Sequence, residues 1–323
     1  MTAVWLALAA SAAWGLADFL GGLTSRTNSV FKVLAVSQPI GLVLIVLALV
    51  LHGHGLTITG SAYWAIAAGF ASVGSLGCLY FSMSRGDMIL VAPLAATGVV
   101  IPVIAGIASG NSITLITGGG MLLAAIGAIA TTWSAPEHAE QATGGNNNLV
   151  AALFALGSAA GQGLFLLMLS HATNGDPYSA TCIMRLTSCV VTLAVYVGYR
   201  RRLAMLAPDP QLPAPALVGS GPAAAAGSPL PARPLQSVGV NGPGRWTLAL
   251  LALPAVGMAD ALAEICFAGA TTSGELSTSA VLSSLYPVGT MFLAMLFLRE
   301  RARPIQGLGA ACALVGVLLL SSA

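Results

Sequence analysis

Residues 248–270 read LALLALPAVGMADALAEICFAGA, an apolar run that holds two carboxylates, Asp260 and Glu264, in its second half. A helix of about 20 residues crosses a hydrocarbon core about 30 Å thick, so this run is read as a membrane span. Four residues apart, the two acids share one face of the helix, one turn from each other. An ionised acid at the bilayer centre costs roughly 2.5–3.5 kcal/mol on insertion scales unless a partner or water meets it. The remaining sequence is read for what faces them.

Of the 323 residues, 57% are hydrophobic and 7% charged, against about 25% charged in a soluble domain. A soluble surface cannot be assembled from this composition, and apolar runs near span length recur throughout. The fold class is therefore an all-α integral membrane protein whose surroundings are the lipid bilayer. Hydropathy places about ten transmembrane helices at 3–23, 31–51, 62–84, 88–108, 113–133, 148–171, 178–199, 246–270, 276–297 and 303–321. The first run lacks a basic leader and is too long for the core of a signal peptide, so it is read as a retained span. A net charge of +2, with no basic run beyond Arg200–Arg202, gives no nucleic-acid partner. The five cysteines (Cys78, Cys182, Cys189, Cys266, Cys312) lie inside apolar runs without metal-ligand spacing and are read as small core residues. No Gly-x-x-x-x-Gly-Lys loop is present, and no cofactor is implied.

Short connections make successive spans antiparallel neighbours. Two connections are longer. Residues 134–147 are polar and sit at the midpoint, a linker between a first five-helix repeat (1–133) and a second (148–323). Residues 200–245 hold nine of the seventeen prolines and read as a disordered Pro-rich loop. Across the linker, Ser11–Gly15 aligns with Ser158–Gln162, and the same offset sets Gln38 over Arg185. Later in each half Gly69, Cys78 and Gly86-Asp87 align with Gly257, Cys266 and Gly274-Glu275. An odd number of spans per half makes the two repeats inverted, a plan that in secondary transporters puts the substrate site near the midplane.

Spans 6 and 8 end, and spans 7 and 9 begin, on one side of the membrane. Counted from that side, Arg185, Glu264, Asp260, Gln162 and Tyr286 lie about six to ten residues in, a layer roughly 9–15 Å deep at the helical rise. Arg185 is the natural partner of both acids, because its planar fork can serve one carboxylate through two donors and leave the other reachable. One arginine against two acids leaves an excess negative charge, so Asp260, the deeper acid, is expected to hold a proton near neutrality. The competing reading is a permanent ion pair that only fixes helix packing. Asp18, with Gln38 at similar depth, is assigned to the opposite side, as an end-of-helix acid met by water, by Arg26 or Lys32, or as a functional group. His171, near Asp176, is read as interfacial, and Trp14 and Tyr286 as cavity lining or packing. The first-half positions aligned with the two acids, Ser72 and Leu76, carry no charge, so the site is expected to be asymmetric.

Several short motifs resemble the EamA-like branch of the drug/metabolite transporter superfamily: Trp14-Gly15, Arg185, Tyr286-Pro287, Leu298-Arg299-Glu300-Arg301 and Gln306-Gly307-Leu308-Gly309-Ala310. The sequence departs from that pattern at Asn111-Ser112, where an acidic corner residue belongs, and in the length of the 200–245 connection. The resemblance implies a secondary transporter of a small metabolite or drug-like solute, working by alternating access in a bacterial inner membrane. A small-molecule substrate is then the partner, with a homodimer left open, and the buried acids themselves suggest that Asp260 or Glu264 binds either a proton or a cationic substrate group, in competition. The candidate binding residues are Arg185, Asp260, Glu264, Gln162, Tyr286, Trp14 and Gln38, with no catalytic or metal set. A membrane scaffold or sensor using the 200–245 loop is the alternative. An intramembrane enzyme is disfavoured by four scattered histidines without a nucleophile beside a base.

Of the twelve Lys and Arg residues, all but Arg185 fall in the first, third, seventh and ninth connections or at their helix ends. The positive-inside rule then puts those connections in the cytoplasm and both termini outside, whereas the family resemblance implies termini inside. A reporter fused at Ala323 is expected to read the external side if the charge count governs; a cytoplasmic signal reverses the orientation.

Overall fold

Lipid tails are as apolar as leucine, so helices associate in a bilayer where small side chains let backbones approach. The computed structural model of the chain is built on such contacts. It describes residues 2–51, 53, 55–58, 60–108, 115–132, 145–172, 176–206, 244–273, 283, 285–300 and 304–321, and among these all regular structure is helical. The helices are α1 (Thr2–Ser25), α2 (Val30–Leu51), α3 (Ala62–Arg85), α4 (Met88–Ala96), α5 (Val100–Ala108), α6 (Leu115–Thr132), α7 (Gly145–Ala172), α8 (Pro177–Leu206), α9 (Gly244–Ser273), α10 (Tyr286–Leu293) and α11 (Pro304–Ser321). Among the described residues five stretches are long and apolar enough to cross a membrane: Thr2–Ser25, Val30–Leu51, Ala62–Arg85, Leu149–Leu169 and Pro177–Met205.

Many large apolar side chains point outward, and many of the buried positions are small. Val43, Leu47 and Val50 of α2, Ile66 and Phe70 of α3 and Val190 of α8 are exposed, while Ala7, Ala10 and Ala17 of α1 and Ala261 and Ala263 of α9 are buried. That is the arrangement of a bundle solvated by hydrocarbon.

The most extensive contacts pair α1 with α9, α3 with α7 and α6 with α11, followed by α2 with α8 and α9 and α3 with α8. Glycines set the closest of these. A Cβ on Gly257 of α9 would lie 2.1 Å from the Ser37 carbonyl oxygen of α2, and one on Gly127 of α6 would lie 2.3 Å from the Ala313 nitrogen of α11.

The element boundaries depart from hydropathy in four places. The span expected at 88–108 is broken by a 3₁₀ turn at Thr97–Val99 between α4 and α5. Pro102 has no N–H for the Gly98 carbonyl, and Gly98 packs directly on the backbone of Ala159. Pro287, inside the span expected at 276–297, occupies the first turn of α10, where a missing N–H costs nothing. α10 continues into a π turn at Ala294–Leu298 that ends with Arg299 in the left-handed conformation, φ 54°. Finally, α8 runs on to Leu206, into the stretch expected as loop, because Arg200 to Met205 are mostly strong helix formers whose charges leave the membrane as the helix does. The rest of that expected loop, 207–243, and of the expected linker, 134–144, lies outside the described residues.

Gly257→Ala is expected to push α2 from α9 and cost roughly 1–3 kcal/mol of stability, read as a lower Tm in detergent. Gly198→Ala, where a new Cβ meets nothing within 4 Å, leaves Tm unchanged or raised.

Candidate substrate site

Asp260 and Glu264 lie one turn apart on α9 and both face α8, where Arg185 is 1% exposed. The guanidinium uses each of its nitrogens. Nε donates to Glu264 Oε2 at 3.2 Å, and Nη1 donates to Asp260 Oδ2 at 2.8 Å and to Gln38 Oε1 of α2 at 2.9 Å. Nη2 approaches Glu264 Oε1 to 2.6 Å, an ion-pair contact outside hydrogen-bond alignment. Glu264 thus takes the long edge of the fork, while Asp260 takes one corner. A charge this far from water persists only when it is both paired and hydrogen-bonded, which the arrangement supplies. Gly41 of α2 makes room: a Cβ there would lie 3.4 Å from Arg185 Cζ.

The other side of the acids opens on a cavity of about 170 Å³. Its wall includes Trp14 and Asp18 from α1, Ser72 and Leu76 from α3, Gln162 and Phe165 from α7, Asp260, Glu264 and Phe267 from α9, and Tyr286 from α10. The side-chain amide oxygen of Gln162 accepts a long hydrogen bond from Ser75 Oγ at 3.4 Å, and Ser75 also bonds the Ser158 carbonyl at 2.9 Å, tying α3 to α7. Trp14 is held at 5.6 Å from Phe267 and edge-on at 6.3 Å to Tyr286. Gly15 permits this, since its Cβ position is 2.9 Å from the Tyr286 carbonyl oxygen, and Thr290 Oγ1 donates across to the Gly15 carbonyl at 3.2 Å.

The structure places all seven sequence-derived residues together: Arg185, Asp260, Glu264 and Gln38 in one network, and Trp14, Gln162 and Tyr286 on the cavity wall beside the two acids. Gln38 is the correction. Assigned to the opposite side with Asp18, it instead touches Arg185, because depth along a helix says nothing about which way a side chain turns. Asp18 is corrected too. Arg26 is engaged by Glu300 at 2.7 Å and Lys32 by Asn28 at 3.0 Å, so neither meets Asp18, which lines the cavity instead. The Trp14-to-Asp18 spacing of four residues on α1 was the available signal for this, as was the three-residue step from Glu264 to Phe267. His171 stacks on Trp64 at 4.9 Å, and Asp176 accepts from the Ser179 N–H at 3.0 Å as the cap of α8.

A second ion pair closes one end of the bundle. Arg26 donates to Glu300, to the Met83 carbonyl at 3.2 Å and to the Gly86 carbonyl at 3.3 Å, and Glu300 accepts the Ile89 N–H at 3.1 Å. Burial pushes the Glu300 carboxyl up, against the opposing pull of Arg26 and the Ile89 N–H. On acidification Glu300 therefore takes up its proton earlier than an exposed glutamate would.

An apolar helical bundle enclosing a largely apolar cavity with three carboxylates on its wall is the build of a membrane protein that handles a solute. The profile of the EamA-like transporter family matches residues 149–322, just over half of the chain. The chain belongs to that family, within the drug/metabolite transporter superfamily, whose members are transporters of small molecules in a lipid environment. A solved crystal structure 14% identical in sequence, covering 98% of this chain and 96% of its own, superposes with a TM-score of 0.58, a likeness of fold. No curated protein matches the chain.

Arg185→Ala strands two buried carboxylates and is expected to destabilise the protein by roughly 3–5 kcal/mol. Adding Asp260→Asn and Glu264→Gln to Arg185→Ala should recover part of that loss in a thermal unfolding series.

Proposed function

We propose that the protein is a secondary transporter that carries a small metabolite or drug-like solute across the inner membrane by alternating access, with a proton bound in turn at the Asp260/Glu264 pair. The observation that carries this reading is the cavity itself, walled by both halves of the chain and backed by a buried arginine. Alternating access needs two halves that rock about a shared site, and the packing favours that plan. If residues 1–133 and 148–323 are inverted repeats, exchanging them swaps α1 with α7, α2 with α8, α3 with α9 and α6 with α11. The α1–α9 contact then becomes α7–α3, α2–α9 becomes α8–α3, and α2–α8 and α6–α11 map onto themselves, as in the observed packing. Ten spans follow if α4 with α5, and α10 with its π turn, each count as one broken span.

The Arg26–Glu300 pair stitches the α1–α2 and α10–α11 connections to the end of α3 and the start of α4. Phe267 of α9 and Val317 of α11, which also line the cavity, lie toward the opposite helix ends. A cavity closed at the Arg26–Glu300 end and reached from the other is the state that this reading assigns to the bundle.

Proton coupling rests on unequal service of the two acids. Glu264 is held along an edge of Arg185, and Asp260 at a corner, with Gln38 sharing that corner donor. The groups around the pair are Arg185 of α8, Gln38 of α2, Asp18 of α1, Gln162 of α7 and Tyr286 of α10. Protonating one acid frees a carboxyl toward the cavity without unpairing Arg185, so proton and solute can exchange there. In proteoliposomes with an imposed pH gradient, solute flux from a substrate panel is expected to follow the gradient in the wild type. In the Asp260→Asn/Glu264→Gln variant flux should lose that dependence by at least about tenfold, the scale of one charge-assisted contact. An unaltered response to pH in the double variant rules out coupling at this pair.

A further inference from the structure

Asp18 belongs to none of the networks above. It is 8% exposed, lines the cavity one turn along α1 from Trp14, and has no hydrogen-bond or ion-pair partner among the described residues. The basic side chains that sequence proximity suggests for it, Arg26 and Lys32, are bound elsewhere. Arg185 is turned to α9 and α2 and does not line the cavity. The wall therefore presents three carboxylates, Asp18, Asp260 and Glu264, and no basic side chain among the described residues. A carboxylate taken from water without a partner is unfavourable by several kcal/mol, so this wall is complete only with a cation or a proton against it.

The chemistry beside Asp18 narrows the cation. Trp14, Phe267 and Tyr286 form an aromatic cluster next to it, and aromatic faces attract an ammonium group through the ring quadrupole while offering an apolar body a place to lie. A bare metal ion has no use for three rings, and the described residues hold no group of His, Cys, Asp and Glu fit for one. An anion meets three like charges. The volume, about 170 Å³, is near that of an engineered cavity of about 150 Å³ that holds benzene, which sets the size of the body.

We propose that this cavity binds a small monovalent organic ammonium compound, its charge countered by Asp18 and its apolar part held among Trp14, Phe267 and Tyr286. The assignment rests on the transporter reading of the same cavity and names its substrate class.

The probes are benzyltrimethylammonium, which carries a fixed positive charge, its neutral carbon isostere neopentylbenzene, and benzoate, applied to the purified full-length protein in nanodiscs with binding read by calorimetry and Tm. The wild type is expected to bind the cation at least about tenfold more tightly than the other two. Asp18→Asn should weaken the cation by tenfold or more and erase the charge preference, while Asp18→Glu keeps it; Trp14→Ala should weaken it about 3- to 30-fold. A purely structural Asp18 would change Tm in the unliganded protein and leave the ranking of probes intact. Equal or tighter binding of benzoate or the neutral isostere to the wild type overturns the proposal, even if Asp18→Asn fails to fold. Flux of neutral or anionic solutes in proteoliposomes with no cation binding removes the substrate class and leaves the transporter reading standing. Tight cation binding with no flux of any solute does the reverse.

Discussion

One guanidinium in a place without water constrains the second half of this protein. Arg185 cannot surrender its proton in a folded chain, so its charge is permanent and its donors must be met wherever the helices go. Nε and Nη2 go to Glu264, and Nη1 is divided between Asp260 and Gln38. That requirement fixes the rotation of α8 against α9, and it draws α2 in close enough that a Cβ on Gly257 would lie 2.1 Å from the Ser37 carbonyl oxygen and one on Gly41 3.2 Å from the Gly257 carbonyl oxygen. Such a cluster contributes little net stability, since desolvation offsets most of its attraction. Its consequence is geometric: a wall of oxygen atoms held at one height in an apolar bundle.

On the proposed repeat, Gln38 and Arg185 are equivalent positions, and they touch. Two equivalent positions can meet only on the axis that relates the halves, so the α2–α8 crossing marks that axis and Arg185 sits beside it. The acids break the symmetry, because Ser72 and Leu76 stand where Asp260 and Glu264 would repeat and face the same cavity from α3. The first half supplies its own acid from a different element, Asp18 on α1. The cavity is thus charged from two directions by non-equivalent residues, which lets one acid be neutralised by arginine while another stays open to a ligand.

The helices were legible because transfer free energy is additive along a run, and runs such as 30–51 and 62–85 announce themselves without tertiary information. The acid pair was legible for a similar reason, since a four-residue spacing forces a common face whatever the neighbours do. Gln38 and Asp18 were not, because counting residues from a loop gives height in the membrane and leaves the angle around the helix open. Whether Asp18 turns to a basic residue at the helix end or to the cavity depends on where Arg26 goes, and Arg26 is claimed by Glu300, 274 residues away in sequence. The 3₁₀ break at Thr97–Val99 was hidden as well. Hydropathy sees one apolar run through Thr97-Gly98, while the break lies where Gly98 meets the backbone of Ala159.

On the proposed alternating-access reading, the two ion pairs differ in a way that would give them different parts in the cycle. Arg185 is 1% exposed and its partners come from α9 and α2, so pulling it apart would strand charge in hydrocarbon and is disfavoured in any state. Arg26 is 19% exposed at its side chain, and it binds two backbone carbonyls that water can satisfy equally well once the end of the bundle opens. Exchange of protein for water is nearly neutral for such hydrogen bonds. Movement is therefore cheapest at the Arg26–Glu300 end, next to the π turn and the left-handed Arg299 that already interrupt α10. The Arg185 cluster travels as a unit, and a site that must exist in both states of a transporter is best built on contacts that neither state can afford to lose.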